Sequence, residues 1–319
     1  MVCSEASVSS TDRVDLSVQV GALRLRNPII TASGTFAYGV EFAHLVDLNQ
    51  LGGIVTKGIS REPIEGAPPP RLCETPSGML NAVGLQNIGV DAFLRDRLPL
   101  LRKYNTAIIV NVFGYCLDDY LAVIRQLEGN QGISAYELNI SCPNVKNGGM
   151  QFGSSPGSVG EVVSAARKEA RKTPLWVKLT PLVTNISEIA SAAEGSGADA
   201  LTVANTYPAM AIDFRTGRSR IGNPTGGLSG PAIKPITLRL VWEVSKAVQI
   251  PILGLGGIET VGDVLEYVAA GATAVQVGTA SFSDPKASEK IARGLERGLR
   301  EIGASSFSEI RGRSRVENS

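Results

Sequence analysis

Eight short runs of apolar and β-branched residues punctuate this chain, and none shows the polar/apolar alternation of a strand with one face in water. They cover Asn27 to Ser33, Leu51 to Gly58, Ala107 to Gly114, Ala135 to Ser141, Leu175 to Thr180, Ala200 to Thr206, Ile250 to Gly256 and Ala274 to Thr279. Continuous apolar runs of this length predict parallel strands buried on both faces. The intervening segments instead carry apolar residues at three- and four-residue spacing, as helices covering a sheet require. They are Asp118 to Glu128, with Leu121, Ile124 and Leu127 on one face, then Val159 to Arg171, Ile186 to Glu194, Thr237 to Val248, Thr260 to Ala269 and Pro285 to Ile302. Eight strands with helices between them predict an α/β fold, a (β/α)8 TIM barrel, since a doubly wound open sheet usually stops at fewer strands.

A length of 319 residues fits one such barrel with insertions. With no internal repeat and no low-complexity linker, a single domain is expected from residue 14 to 319. The polar opening of residues 1–13 reads as a flexible tail, and Pro68-Pro69-Pro70 as a stiff local turn. Three connections exceed what a barrel needs: Ile59 to Thr106, Cys142 to Pro156 and Tyr207 to Lys234. All would leave the C-terminal ends of strands, the face on which barrels build active sites, so they are expected to carry function.

Composition narrows the function classes. Hydrophobic residues make up 43% and charged residues 19%, enough to bury a large core. A net charge of +1 gives no general attraction to nucleic acid or anionic lipid, so any bound anion must be held by a local site. No apolar run approaches the roughly 18 residues needed to span a bilayer. The four cysteines, Cys3, Cys73, Cys116 and Cys142, form neither a zinc-type pair nor a disulfide framework, which predicts a cytoplasmic protein. No His/Cys/Asp cluster has metal-ligand spacing, and no metal is expected.

The ends of the strands carry the candidate chemistry: Ser33, Lys57, Asn111, Asn139, Lys178, Asn205, Gly256-Gly257 and Gly278-Thr279. A lysine ending an apolar strand either reaches out to solvent or meets an anion. Two on one rim, Lys57 and Lys178, favour an anion site. Glycines after the last two strands, in LGLGGI and VGTAS, let backbone N–H groups approach a phosphate closely; a single Gly-Gly after a strand is more often a plain turn, and it is the pair in this order at these ends that points to a phosphate. No G-x-G-x-x-G follows the first strand. Cys142, in ELNISCPNVKNGG, stands directly after the fourth strand, whereas Cys3, Cys73 and Cys116 read as small buried apolar residues. The only histidine, His44, lies on an expected helix surface, so Cys142 has no evident partner for nucleophilic catalysis. Proton abstraction by its thiolate, favoured by Lys57 or Lys178 nearby, remains.

The segments TASGTFAYG, TKGIS, NAVGLQN, NISCPNVKNGG, VKLTP, ANT, GGLSGPAI, GLGGI and VGTA occur in an order that resembles the class 1 dihydroorotate dehydrogenases, from about Leu16 to Arg300. The resemblance implies oxidation of (S)-dihydroorotate to orotate in pyrimidine biosynthesis on an FMN-binding barrel. It assigns FMN contacts to Ser33, Lys57, Gly58, Asn111, Asn139, Lys178, Ala204, Gly230, Gly256, Gly257, Gly278 and Thr279. Orotate contacts fall to Lys57, Asn81, Ala82, Val83, Gly84, Leu85, Asn139, Asn205 and Thr206. It further implies that Cys142 takes the proton from ring carbon 5 while a hydride leaves carbon 6 for the flavin. Lys178 would then stabilise negative charge on reduced FMN, and closure of the loop from Cys142 to Phe152 would exclude water.

CPNVKNGGMQFG and TASGTFAYG are most similar to the NAD-linked class 1B catalytic subunits. That resemblance implies a partner subunit carrying FAD and a 2Fe–2S cluster, within a heterotetramer built on a homodimer of this chain. The alternatives are a fumarate-dependent class 1A enzyme or another pyrimidine-reducing flavin barrel, of the dihydropyrimidine dehydrogenase or dihydrouridine synthase kind. The near-neutral charge disfavours the last, which needs a tRNA-binding surface. A non-catalytic FMN-binding barrel would require a broken catalytic constellation.

Overall fold

In the computed structural model, which describes residues 14–141 and 152–315, eight parallel strands close into a barrel. They are β1 (Ile29–Thr31), β2 (Gly53–Val55), β3 (Ala107–Val112), β4 (Ala135–Asn139), β5 (Leu175–Lys178), β6 (Ala200–Val203), β7 (Ile252–Leu255) and β8 (Ala274–Val277). Each pairs with the next in sequence, and β8 closes onto β1 through Val275 opposite Ile29. All eight expected strands are present. Each run extends past the paired strand, and the residues beyond the ladder form the rim.

The expected helices appear at Leu117–Leu127, Pro156–Glu169, Ile186–Gly195, Lys234–Ala247, Val261–Ala270 and Ala287–Glu301. Their buried faces, such as Tyr120, Val123, Ile124 and Leu127, join the strands in one continuous core. Helix starts follow local chemistry. Thr260 Oγ1 accepts from the Asp263 N–H at 3.2 Å, and the Asp263 carboxylate accepts from the Thr260 N–H at 2.8 Å, satisfying donors that the first helical turn leaves open. Lys234, which opens its own helix, donates to Asp263 at 2.6 Å and pins two helix starts together beside the rim.

Three features depart from the expected pattern. A hairpin of Val18–Val20 and Leu23–Leu25 packs at the N-terminal end, where a side chain at Gly21 would meet the Asp199 carbonyl at 3.4 Å. Cys73 is buried as expected, but Cys116 is exposed: its extended backbone precedes the helix Leu117–Leu127, and its N–H donates to Asp119. His44 is exposed in a turn after the three-residue 3-10 helix Val40–Phe42, not on a longer helix, because Gly39 and the bulky Tyr38 shape a tight loop there.

Two of the long connections form a structure of their own. Tyr207–Ala209, Gly226–Ser229, Gly78–Asn81 and Leu72–Thr75 make an antiparallel sheet that joins the insertion after β2 to the insertion after β6. Cys73, Leu80 and Ile221 give this sheet a small core separate from the barrel's. Among the described residues no helix is long and apolar enough to cross a membrane. Residues 1–13, expected as a tail, lie outside the described residues.

Candidate active site

The C-terminal rim and the sheet above it enclose a cavity of about 1100 Å³. Pockets for one small molecule usually enclose roughly 300–1,000 Å³, so this one has room for a cofactor and a substrate together. Each strand supplies part of the wall at or just beyond its C-terminal end. Ser33 follows β1, Lys57 and Gly58 follow β2, Asn111 lies in β3, and Asn139 and Lys178 end β4 and β5. Ala204, Asn205 and Thr206 follow β6, Gly256 and Gly257 follow β7, and Gly278 and Thr279 follow β8. From the insertions come Asn81, Ala82, Val83, Gly84, Leu85 and Gly230. Every expected site residue except Cys142 therefore lines one cavity. Cys142 and the rest of residues 142–151 lie outside the described residues.

Two amines dominate the electrostatics. Lys178 is 5% exposed, and burial pulls its ammonium below the usual lysine range, with the negative charge of Glu137 opposing part of that fall. Burial also lowers Lys57; the positive charge of Arg71 adds to the effect and Glu41 counters it. Neither amine has a hydrogen-bond or ion-pair partner among the described residues. A cation so placed favours an anionic or polarised ligand, whose arrival compensates the lost hydration.

Opposite the amines, the wall is backbone. Gly256 and Gly257 have φ of 147° and 66°, and a Cβ on Gly257 would stand 2.8 Å from the Gly230 carbonyl oxygen. The same Cβ would meet the Lys234 side chain, which is held against Asp263. Only glycine fits this turn, and it leaves peptide groups at the cavity surface, the arrangement that receives a phosphate in barrels. Thr279 Oγ1 donates to Ser229 Oγ at 2.8 Å, tying the end of β8 to the sheet over the mouth.

The polar end is a carboxamide cluster. Asn139 Oδ1 accepts from Ser141 Oγ at 2.5 Å and from Asn205 Nδ2 at 3.4 Å, and Asn205 Nδ2 also donates to Ser141 Oγ. Asn205 Oδ1 accepts from the Thr206 N–H at 2.8 Å, and Asn81 Nδ2 donates to the Gly227 carbonyl at 3.1 Å. Carboxamides fixed in this way present donors and acceptors in a set order, suited to a planar heterocycle with amide-like edges. Sequence reasoning missed Ser141, Ser229 and Glu137. Ser141 sits between two assigned positions in NISC, and that adjacency was the available signal; Glu137 was hidden within an apolar strand.

Fit to a flavin can be judged from these groups. Asn111 Oδ1 is buried with no hydrogen-bond partner, Lys178 lacks a bonded counter-ion among the described residues, and the glycine cradle has no room for a Cβ. An acceptor for the single ring N–H, a cation for the electron-rich carbonyl edge and a backbone cradle for the phosphate, all on one cavity, match a flavin mononucleotide.

Comparison with known proteins gives a consistent result. The sequence profile of the dihydroorotate dehydrogenase family matches residues 15–299. A Trichlorobacter lovleyi protein named dihydroorotate dehydrogenase B (NAD(+)), catalytic subunit, is 54% identical over 297 residues, covering 93% of this chain and 97% of its own. A protein of Geotalea uraniireducens with the same name is 53% identical over 298 residues, covering 93% and 97%. A Solibacter usitatus protein with the provisional name dihydroorotate dehydrogenase A (fumarate) is 55% identical over 288 residues, covering 90% and 94%.

Proposed function

This chain belongs to the dihydroorotate dehydrogenase family, and from that premise we propose that it oxidises (S)-dihydroorotate to orotate with FMN, as the NAD-linked catalytic subunit of a class 1B enzyme. The observation that carries the reading is the pair of lysines, Lys57 and Lys178, set without a hydrogen-bonded or ion-paired partner among the described residues on the same cavity as a glycine cradle. Lys57 meets the substrate carboxylate. Asn81, Asn139, Asn205 and Thr206 hold the pyrimidine edges, and residues 82–85 close over them. Ser33, Gly58, Asn111, Lys178 and Ala204 would hold the FMN ring and ribityl chain, and Gly230, Gly256, Gly257, Gly278 and Thr279 its phosphate. When bound, FMN supplies the hydride acceptor that no amino-acid side chain offers. Cys142 takes the proton from ring carbon 5. The partner is a subunit carrying FAD and a 2Fe–2S cluster, with two copies of this chain in the assembly.

The test is dihydroorotate oxidation by the purified yellow protein with NAD, fumarate or an artificial dye as acceptor, with and without the candidate partner subunit. Turnover with dye alone, and with NAD only when the partner is added, is expected. Strong fumarate turnover by the lone chain would move it to class 1A, the reading favoured by the Solibacter usitatus relative's name. No oxidation with any acceptor would overturn the substrate.

Orotate affinity is expected to depend on pH through Lys57. An anion binds to the ammonium form, so affinity is full at low pH and falls as pH rises through the Lys57 pKa, which burial has moved below the usual lysine range. Orotate titrations, read by the flavin absorbance, should therefore weaken on the alkaline side earlier than an exposed lysine would allow. Lys57→Met should bind weakly and without that slope; a slope that persists in this variant assigns it to another group.

A further inference from the structure

Of the buried charged residues described, Glu137 alone has no exposed surface, and the reading above gives it no task. It lies on β4 two residues before Asn139, so its side chain shares the inward face of that strand one layer deeper in the barrel. Asn111 Nδ2 donates to its Oε1 at 2.7 Å, Thr202 Oγ1 donates to its Oε2 at 2.7 Å, and Gln276 Nε2 also donates to Oε2. Three donors converge on the carboxyl group and it donates to none, the pattern of a carboxylate acting as acceptor only.

That pattern settles the orientation of Asn111. A carboxamide has one NH2 end and one oxygen end, and with the NH2 group held by Glu137 the oxygen is turned away from it. Asn111 Oδ1 is buried without a partner and lies 2.9 Å from the place a Cβ on Gly58 would occupy. Gly58 and Asn111 both line the cavity, and the bare glycine backbone is what lies beside this acceptor, so it sits just beneath the cavity surface, where a side chain at 58 would cover it. A neutral residue in place of Glu137 would let the carboxamide turn over and present its NH2 group instead.

We propose that Glu137 is a positioning residue for the cofactor: by accepting from Asn111 it fixes that carboxamide with Oδ1 toward the cavity, as an acceptor offered to a ring N–H of the flavin. The proposal rests on the FMN reading. A purely structural carboxylate would tie β4, β6 and β8 together but would not act on FMN through Asn111.

A double-mutant cycle separates the two roles. Apoprotein is titrated with FMN, following quenching of flavin fluorescence, for the wild type, Glu137→Gln, Asn111→Ala and the double variant, with circular dichroism as the check on folding. Each single change should raise the FMN dissociation constant about tenfold, the loss of one good buried hydrogen bond. The double variant should bind no more weakly than Asn111→Ala. If Glu137→Gln does not fold, Glu137→Asp replaces it, since its shorter carboxylate draws back from Asn111, and the same non-additivity is expected. Wild-type affinity in the Glu137 variant, or an equal further loss in the Asn111→Ala background, overturns the proposal. Failure of the wild type to take up FMN overturns the cofactor reading itself, and this assignment with it, without recourse to any variant.

Discussion

Replacing Cys142 by alanine should leave a yellow, folded, FMN-loaded protein whose dihydroorotate oxidation is reduced about a hundredfold to ten-thousandfold, the range by which a positioned general base accelerates proton transfer. The expectation follows from where the residue stands in the chain. Cys142 comes directly after Ser141, whose hydroxyl is bonded to Asn139 and to Asn205, two of the proposed substrate contacts. On the far side of residues 142–151, Phe152 is buried and packs edge-on against Tyr120 at 5.7 Å, and Tyr120 in turn donates to the Asn139 carbonyl at 2.8 Å. The two described residues that flank the segment, Ser141 and Phe152, are thus both tied to the strand that carries Asn139. Cys142→Ser should keep a small fraction of the activity, rising toward alkaline pH, because a hydroxyl gives up its proton far less readily than a thiol. Steady-state assays with a dye acceptor, beside FMN content from absorbance, separate lost chemistry from a lost cofactor. Full turnover in the alanine variant would remove Cys142 from the mechanism.

The sequence pattern made the barrel legible because parallel strands covered on both faces must be apolar throughout, and helices covering them must be amphipathic; each constraint leaves its own period. The rim was legible for a related reason. Lys57 and Lys178 interrupt apolar runs at positions where burial would otherwise forbid charge, so they stand out without any knowledge of the fold. What stayed hidden were features made by contacts distant in sequence. The sheet formed by Leu72–Thr75, Gly78–Asn81, Tyr207–Ala209 and Gly226–Ser229 pairs two insertions more than a hundred residues apart, and neither insertion has the length of alternation that would announce a strand. Glu137 escaped notice because it lies inside Ala135 to Ser141, a run read as a strand buried on both faces, where one carboxyl does not break the apolar pattern. Only the registry of β3 with β4, and the approach of Thr202 and Gln276, show three donors waiting for it. Cys116 was misjudged for the opposite reason: its exposure is set by the turn into the following helix, not by its own hydrophobicity.

Lys178→Met should give a protein that is no less stable than the wild type yet loses about a hundredfold to a thousandfold in turnover, the cost of removing one preorganised electrostatic group from a dry site. The two halves of the prediction share one cause. Lys178 is almost wholly buried and its pKa is lowered chiefly by burial, so the folded state binds its proton less tightly than the unfolded chain does. By linkage, such a group adds stability as pH rises through the window between its lowered folded pKa and the usual lysine range, and below that window the ammonium must be kept dry at a cost to the fold. A methionine of similar length fills the same space without that cost. Glu137 loses the attraction its negative charge has for the ammonium, but its three hydrogen bonds remain in the variant and keep the carboxylate satisfied. Thermal unfolding of the FMN-free proteins is the appropriate comparison, since bound cofactor would stabilise the wild type by mass action and mask the difference. The wild type should gain stability with alkaline pH while the variant stays flat. A marked fall in the melting temperature of Lys178→Met would mean that this lysine is held in place for the barrel's sake, and that charge at the flavin site is set by Lys57 instead.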